Sequence, residues 1–151
     1  MPFILRAEQD PDTSPWIGAW TAERHTALIE EPSHRHLIVE NDTGDRVGYA
    51  LLAVLGNYPG SVELARMVIT EKGSGFGRAA VRELQRIAFD GLDAHRLCLD
   101  LKQDNARARH VYETAGFIVE GVFRECVRTP DGYETLVNMS MLEQEYRERI
   151  S

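Results

Sequence analysis

Between an apolar run that ends at Ile69 and a helical stripe that starts at Ala80, the chain reads Lys72-Gly73-Ser74-Gly75-Phe76-Gly77-Arg78. This turn constrains the fold more than any other stretch. Before it, Val62 to Ile69 mixes Leu64, Met67, Val68 and Ile69 with Glu63 and Arg66 in the manner of a strand. After it, Ala80, Val81, Leu84, Ile87 and Ala88 recur three and four apart, the spacing of one helix face, within a predicted helix from Gly75 to Asp90. Arg96 to Leu101 then alternates Leu97, Leu99 and Leu101 with Arg96, Cys98 and Asp100, so a second strand follows. A strand, a helix and a strand in succession make the two strands parallel. At the start of the crossover helix the first N–H groups have no intrahelical partner, and the helix dipole favours an anion there. Glycine lets that backbone approach a phosphate closely and adopt positive φ, and Lys72 and Arg78 add positive charge.

The flanking sequence fills out a mixed α/β sheet of about seven strands. Phe3 to Ala7 reads as a first strand, followed by the turn-rich Asp10 to Pro15. Ala22, His25, Leu28 and Ile29 predict a helical stripe ending before Pro32, although Thr21 with Arg24 three residues on is not a capping box. His36 to Glu40 and Arg46 to Leu55 flank the turn formers Asn41 to Asp45, a hairpin signature, and Asn57 to Gly60 is a further turn. Ala108, Val111, Tyr112 and Ala115 make a second amphipathic helix closed by Gly116. Phe117 to Val127 and Glu134 to Met141 enclose Thr129-Pro130-Asp131-Gly132, which predicts a closing antiparallel hairpin, and Leu142 to Ile150 reads as a polar helix.

At 151 residues with 43% hydrophobic and 27% charged side chains, the chain suits one compact domain over residues 1–151 and no disordered or fibrous class. Its longest apolar stretch, Val47 to Leu55, is about half of the roughly 20 residues a membrane-spanning helix needs. No stretch of signal-peptide length precedes Arg6, so a cytoplasmic location is expected. The net charge of −7 disfavours nucleic acid as a partner. Residues 61–110 nevertheless carry nine basic against seven acidic side chains, which leaves the acidic excess elsewhere. That division fits an enzyme that holds a polyanionic cosubstrate centrally and attracts a cationic substrate, and it also serves solubility. Cys98 and Cys126 have no metal-ligand spacing and are expected to be reduced. Of the five histidines only His34 and His36 are closely spaced, so no metal is expected. Trp16 and Trp20 read first as core residues, although with Tyr58 they are also candidates for an acceptor pocket.

The turn does not stand alone. Asn105-x-x-Ala108-x-x-x-Tyr112-x-x-x-Gly116-Phe117 follows it at a fixed distance, and together the two motifs resemble the GNAT superfamily of acyl-CoA-dependent N-acetyltransferases. Glu120-Gly121, Gly132-Tyr133 and Met139-Ser140-Met141 resemble the branch containing ribosomal-protein alanine and spermidine acetyltransferases, whereas the first 60 residues resemble it only in layout. The resemblance implies a sheet splayed between the fourth and fifth strands around acetyl-CoA. The family's R/Q-x-x-G-x-G/A turn maps onto Lys72, Gly75 and Gly77, with lysine as a departure at the leading position, and Gly73, Ser74, Phe76 and Arg78 complete the pyrophosphate-binding stretch. Met67 and Ile69 are then expected to offer backbone groups to the pantetheine arm and Asn105 to contact it.

The implied reaction is direct attack of a neutral amine on the thioester, with Tyr112 protonating the departing thiolate. An alkyl amine of pKa near 10 must first lose a proton, and Glu63, at the start of the strand that lines the cleft, is the candidate base. Proximity can contribute on the order of 7 kcal/mol, so a water chain could serve in place of a dedicated base. The acceptor is expected to be a small amine or a peptide or protein amino terminus, and the assembly a monomer or homodimer. A non-catalytic acyl-CoA binder of the same fold is the alternative. A dinucleotide enzyme is disfavoured, because G-x-G-x-x-G counted from Gly73 requires glycine where Arg78 stands and too little parallel-sheet sequence follows.

Overall fold

The computed structural model describes residues 1–151. In chain order the elements are α1 (Pro2–Glu8), α2 (Ala22–Glu30), β1 (His34–Glu40), β2 (Arg46–Val54), β3 (Ser61–Ile69), α3 (Phe76–Arg86), β4 (Arg96–Lys102), α4 (Ala106–Thr114), β5 (Ile118–Thr129), β6 (Gly132–Leu142) and α5 (Glu143–Ile150). The six strands form one sheet in the order β1-β2-β3-β4-β6-β5. Only the β3–β4 pairing is parallel, as the crossover through α3 requires.

One face of the sheet carries the main core. Leu52, Val62, Leu64, Leu97, Leu99 and Met139 pack there against Val81 and Leu84 of α3, Phe89 just beyond it, Tyr112 of α4 and Tyr146 of α5. The other face carries a smaller cluster in which Ile4 and Ala7 of α1 meet Tyr49 and Val68. Strand β2 is buried without interruption from Val47 to Ala53, since both of its faces are covered.

Three features differ from the expectations above. Phe3 to Ala7 is not a strand but part of α1, with Pro2 in the first helical turn. Ile4 and Ala7, three apart, supply its buried face, and an apolar run this short has no period that separates strand from helix. The sheet therefore has six strands, and the predicted splay falls between its third and fourth. Second, α2 ends where Pro32 requires and is capped by Thr21, whose hydroxyl accepts from the Arg24 N–H at 3.2 Å. Its stripe is not apolar burial, however: Ile29 is 49% exposed and the one buried side chain is His25. Third, the long helix loses its α register after Arg86 and ends in a π-helical turn over Ile87–Gly91. The second helix stops as predicted at Gly116, which has φ +101°. A Cβ there would lie 2.6 Å from Arg149 Cδ and 2.7 Å from Met141 Cε, so glycine also lets α5 and β6 close over the turn.

Helices α1 and α2 are tied to the second face of the sheet through a buried polar network. Glu8 is 1% exposed, and its Oε2 accepts from Arg66 Nη2 at 2.7 Å and from the Trp20 N–H at 3.1 Å. His25 Nε2 donates to the other carboxylate oxygen, and His36 Nε2 lies 3.2 Å from His25 Nδ1. Arg66 also donates to Tyr49 Oη at 3.3 Å and to the Gly18 carbonyl. Trp20 holds the guanidinium groups of Arg24 and Arg66 3.8 and 4.0 Å from its ring centroid, so it belongs to this network and not to an apolar core.

The position of His36 in the network gives a pH dependence. Burial lowers its pKa, His25 and His34 lower it further, and Glu8 opposes them. The unfolded chain, with an ordinary histidine near 6.5, then binds a proton more readily than the folded one, and stability falls as pH drops below about 6.5. Thermal unfolding between pH 8 and pH 5 should show a steeper acid loss for the wild type than for His36→Gln. Equal slopes would remove His36 from the account.

Candidate active site

Strands β3 and β4 pair only at Ser61–Arg96, Val62–Leu97 and Glu63–Cys98 and then separate. Strand β3 stays paired with β2 out to Ile69, with a register shift between Leu51 and Leu52 that leaves Ala65 unmatched. From Leu64 onward its other edge faces a gap. Backbone donors and acceptors on that edge are available to an extended ligand in the way a further strand would use them. The gap is the floor of a cleft of about 1000 Å³.

The glycine turn forms one end of the cleft. Gly73 and Gly75 have φ of +79° and +78°, and a Cβ added to either would meet nothing within 4 Å, so the need for glycine is one of backbone conformation and of open space. Gly75 is the N-cap of α3 and no side chain caps that helix. The first N–H groups of an 11-residue helix are thus left for a ligand at the cleft's end. Lys72, Gly73, Gly75, Phe76, Gly77 and Arg78 all line the cleft, whereas Ser74 is exposed beside it. These residues suit a pyrophosphate: bare main-chain donors, a positive dipole end and two cations. Burial, and next the charge of Arg107, draw the Lys72 ammonium below its usual pKa. Arg107 lies in the first turn of α4 and lines the cleft from the opposite side. It escaped sequence reasoning because an arginine two residues after a helix cap has no motif of its own.

Across the cleft, Asn105 caps α4 through Oδ1, which accepts from the Ala108 N–H at 3.2 Å, so its amide NH₂ remains for a ligand. Tyr112 is 7% exposed, packs edge-on against Phe117 with ring centroids 5.7 Å apart, and lines the cleft. No protein group hydrogen-bonds its hydroxyl. Burial raises its pKa well above that of an ordinary phenol, so it keeps its proton at neutral pH. Met67 and Ile69 lie on the cleft's β3 wall.

Glu63 does not line the cleft. It sits at the last ladder pair, opposite Cys98, one residue before the strands part. Burial, and then the charge of Asp100, raise its carboxyl pKa, and Asp100 does line the cleft. The segment after α1 forms a further wall that sequence reasoning did not assemble. Pro11, Thr13, Trp16 and Ile17 line the cleft, and Lys102 Nζ donates to the Pro15 carbonyl at 2.7 Å, which ties this segment to the end of β4. Trp16, read first as core, is 41% exposed on that wall, while Tyr58 is exposed and lines neither wall. Of the five histidines, His25 and His36 meet in the Glu8 network, and no group of three or more His, Cys, Asp or Glu side chains is arranged to hold a metal ion.

A mixed sheet opened beside a parallel crossover, with an uncapped glycine-rich helix terminus at one end of the gap and a protonated phenol on its wall, defines a site for acyl transfer from a phosphate-bearing thioester. Residues 2–118 match the family described as the acetyltransferase (GNAT) domain, and the chain belongs to that family. It is an acyl-CoA-dependent N-acetyltransferase, and acetyl-CoA is its donor substrate. Among curated proteins it is similar to the spermidine N(1)-acetyltransferase of Vibrio cholerae, 26% identical over 128 residues that cover 84% of this chain and 74% of the relative. It is also 25% identical over 138 residues to the enzyme of that name from Escherichia coli, with the same coverage. Among solved structures, the V. cholerae spermidine N-acetyltransferase in complex with CoA and spermine superposes with a TM-score of 0.86 at 22% identity, over 97% of this chain and 91% of that one, and so shares the fold. Mutant forms of the V. cholerae spermidine/spermine N-acetyltransferase give 0.76 at 25% identity, over 85% and 78%. No helix is long and apolar enough to cross a membrane.

Proposed function

We propose that the protein acetylates a primary amine of a polyamine by direct attack on acetyl-CoA, with Tyr112 as the acid for the leaving thiolate. The observation that carries this reading is the shared cleft: the open α3 terminus and the unpartnered Tyr112 hydroxyl face one gap between β3 and β4. Their placement suits the two ends of the donor, pyrophosphate at Gly73–Arg78 and sulfur near Tyr112. The pantetheine arm then runs along the free edge of β3 past Met67 and Ile69, with the Asn105 amide beside it. The class of acceptor is supported by the relatives' names and by the acidic excess outside residues 61–110.

In the reaction the amine nitrogen lone pair forms a bond to the thioester carbonyl carbon, and the carbonyl oxygen takes up negative charge. Free N–H groups on the β3 edge stabilise that charge. As the carbonyl re-forms, the C–S bond breaks and the thiolate takes the proton of the Tyr112 hydroxyl. Because burial holds that proton on the phenol across neutral pH, the donor is present in its active form. The amine's proton leaves by way of Glu63, reached through water from the cleft. The raised pKa of Glu63 brings its basicity closer to the working range, and neighbouring Asp100 is placed to guide a cationic amine inward.

Thermal unfolding with rising acetyl-CoA, CoA or NAD tests the donor site. The CoA species should raise the midpoint, by about 2.7 kcal/mol of stability at 100 times the dissociation constant, and NAD should not. Thiol release from acetyl-CoA with spermidine should then exceed that with a peptide amino terminus. A midpoint unmoved by CoA species, or equal rates with the two acceptors, would contradict the reading.

A further inference from the structure

A second cavity, an alcove of about 230 Å³, opens off the main cleft. Pro15, Trp16, Lys102 and Asp104 line both spaces, so a linear ligand reaching along the cleft can pass from one to the other. The alcove lies between the end of β4 and the start of β6, Trp16 and Tyr133 both line it, and both side chains are well exposed, at 41% and 56%.

Its charge is unbalanced. Lys102 is engaged, since its Nζ pairs with Glu134 Oε2 at 2.9 Å and donates to the Pro15 carbonyl. Asp104 and Glu125, the other two acids of the alcove, have no ion-pair partner. Glu125 occupies the bulge of β5 between Phe123 and Val127, with φ +48° and its N–H bound to Thr135 Oγ1 at 3.0 Å. The bulge is therefore fixed, and with it the place of Glu125 at the rim. Tyr133 already has the Arg128 guanidinium 5.6 Å from its ring centroid, and the Arg128 Nη2 donates to its hydroxyl at 3.2 Å, which steadies the ring. A separate observation comes from the segment that forms the shared wall. Thr13 is 5% exposed on the cleft side, and its buried hydroxyl has no partner in the protein. A buried hydroxyl without a partner is rare, and a ligand passing along this wall would supply one.

We infer that the alcove binds the distal ammonium group of the polyamine whose reacting amine lies in the cleft. Trp16 and Tyr133 form its aromatic walls, and Glu125 and Asp104 are its anionic partners. Two carboxylates and two aromatic faces suit an alkylammonium, which is attracted to both kinds of surface. They give a monoamine nothing, because its single charge is taken up at the reacting end. Glu125 and Tyr133 are thus specificity-determining residues that act on the far end of the acceptor. The inference rests on the polyamine reading given above.

Calorimetric titration of spermidine and of n-butylamine into the CoA-saturated protein tests it without recourse to turnover. Wild type should bind spermidine at least tenfold more tightly than n-butylamine. Glu125→Gln and Tyr133→Ala, each checked for an unchanged unfolding midpoint, should weaken spermidine about tenfold and leave n-butylamine within twofold. Asp104→Asn, at the other acid of the alcove without an ion-pair partner, provides a second charge deletion should either variant unfold. Spermidine affinity that is the same in wild type and variants, or equal wild-type affinity for the two amines, overturns the inference. Thiol-release rates measured in parallel judge the catalytic reading separately: spermidine that binds through Glu125 without being acetylated would contradict the reaction and leave the alcove assignment standing.

Discussion

Tyr112→Phe should lower kcat for acetyl transfer by roughly 10² to 10⁴, the usual contribution of a positioned proton donor, while the dissociation constant for acetyl-CoA stays within about twofold. The substitution removes one oxygen and keeps the ring that packs edge-on against Phe117. Because the hydroxyl has no protein partner, its loss leaves no buried group unpaired, so fold and donor binding should persist. The measured effect is then that of the proton alone. Stopped-flow measurement of thiol release at saturating acetyl-CoA, with donor affinity from calorimetry, separates the two quantities. A kcat within threefold of wild type would show that solvent protonates the thiolate and would return Tyr112 to the core.

The second large effect concerns stability. Glu8→Gln should destabilise the protein by about 3–5 kcal/mol, the cost of removing one member of a buried ion pair and leaving the other charged. Arg66 cannot shed its proton, and the groups left to it are the Gly18 carbonyl and the Tyr49 hydroxyl. His25 loses its anionic partner in the same step. Urea unfolding at pH 7.5 measures the difference directly. A loss below about 1 kcal/mol would mean that the Glu8 carboxylate is dispensable and that packing of Ile4 and Ala7 alone holds α1. Since Arg66 also lines the cleft, the same variant should bind acetyl-CoA less tightly than Tyr112→Phe does.

What could be read in the sequence follows from the range of the interactions involved. The cradle and the tyrosine helix were legible because each is a local pattern: three glycines between a strand and a helical stripe, and an asparagine cap seven residues before a tyrosine that faces the core. The parallel β3–β4 pairing followed from the crossover between them. Beyond the α2 helix and the β1–β2 hairpin, which were legible, the first 20 residues were not legible in this way. Their short apolar run suited strand and helix equally, and the burial of Glu8 becomes intelligible only once Arg66, 58 residues away, is known to meet it. Trp16 has its place on the cleft wall because Lys102, 87 residues from Pro15, holds that segment down. His25 looked like one more member of an apolar stripe, yet it is the polar link between two helices. For Glu63 the strand was foreseen correctly. Where β3 and β4 part is set by three ladder pairs and by no residue type, so its position just outside the gap could not be.

The short β3–β4 seam also bears on how the protein behaves as a material. Three strands stand on either side of it, joined in the sheet by only three residue pairs. The two halves are leaves of a book, bound along a short spine and braced by helices at the back. In the proposed mode of binding, a donor lying along the open edge of β3 spans both leaves and stitches them. The cell's supply of acetyl-CoA would then set the stiffness of the enzyme as well as its rate of work, and the unliganded protein would be the softer target for a protease.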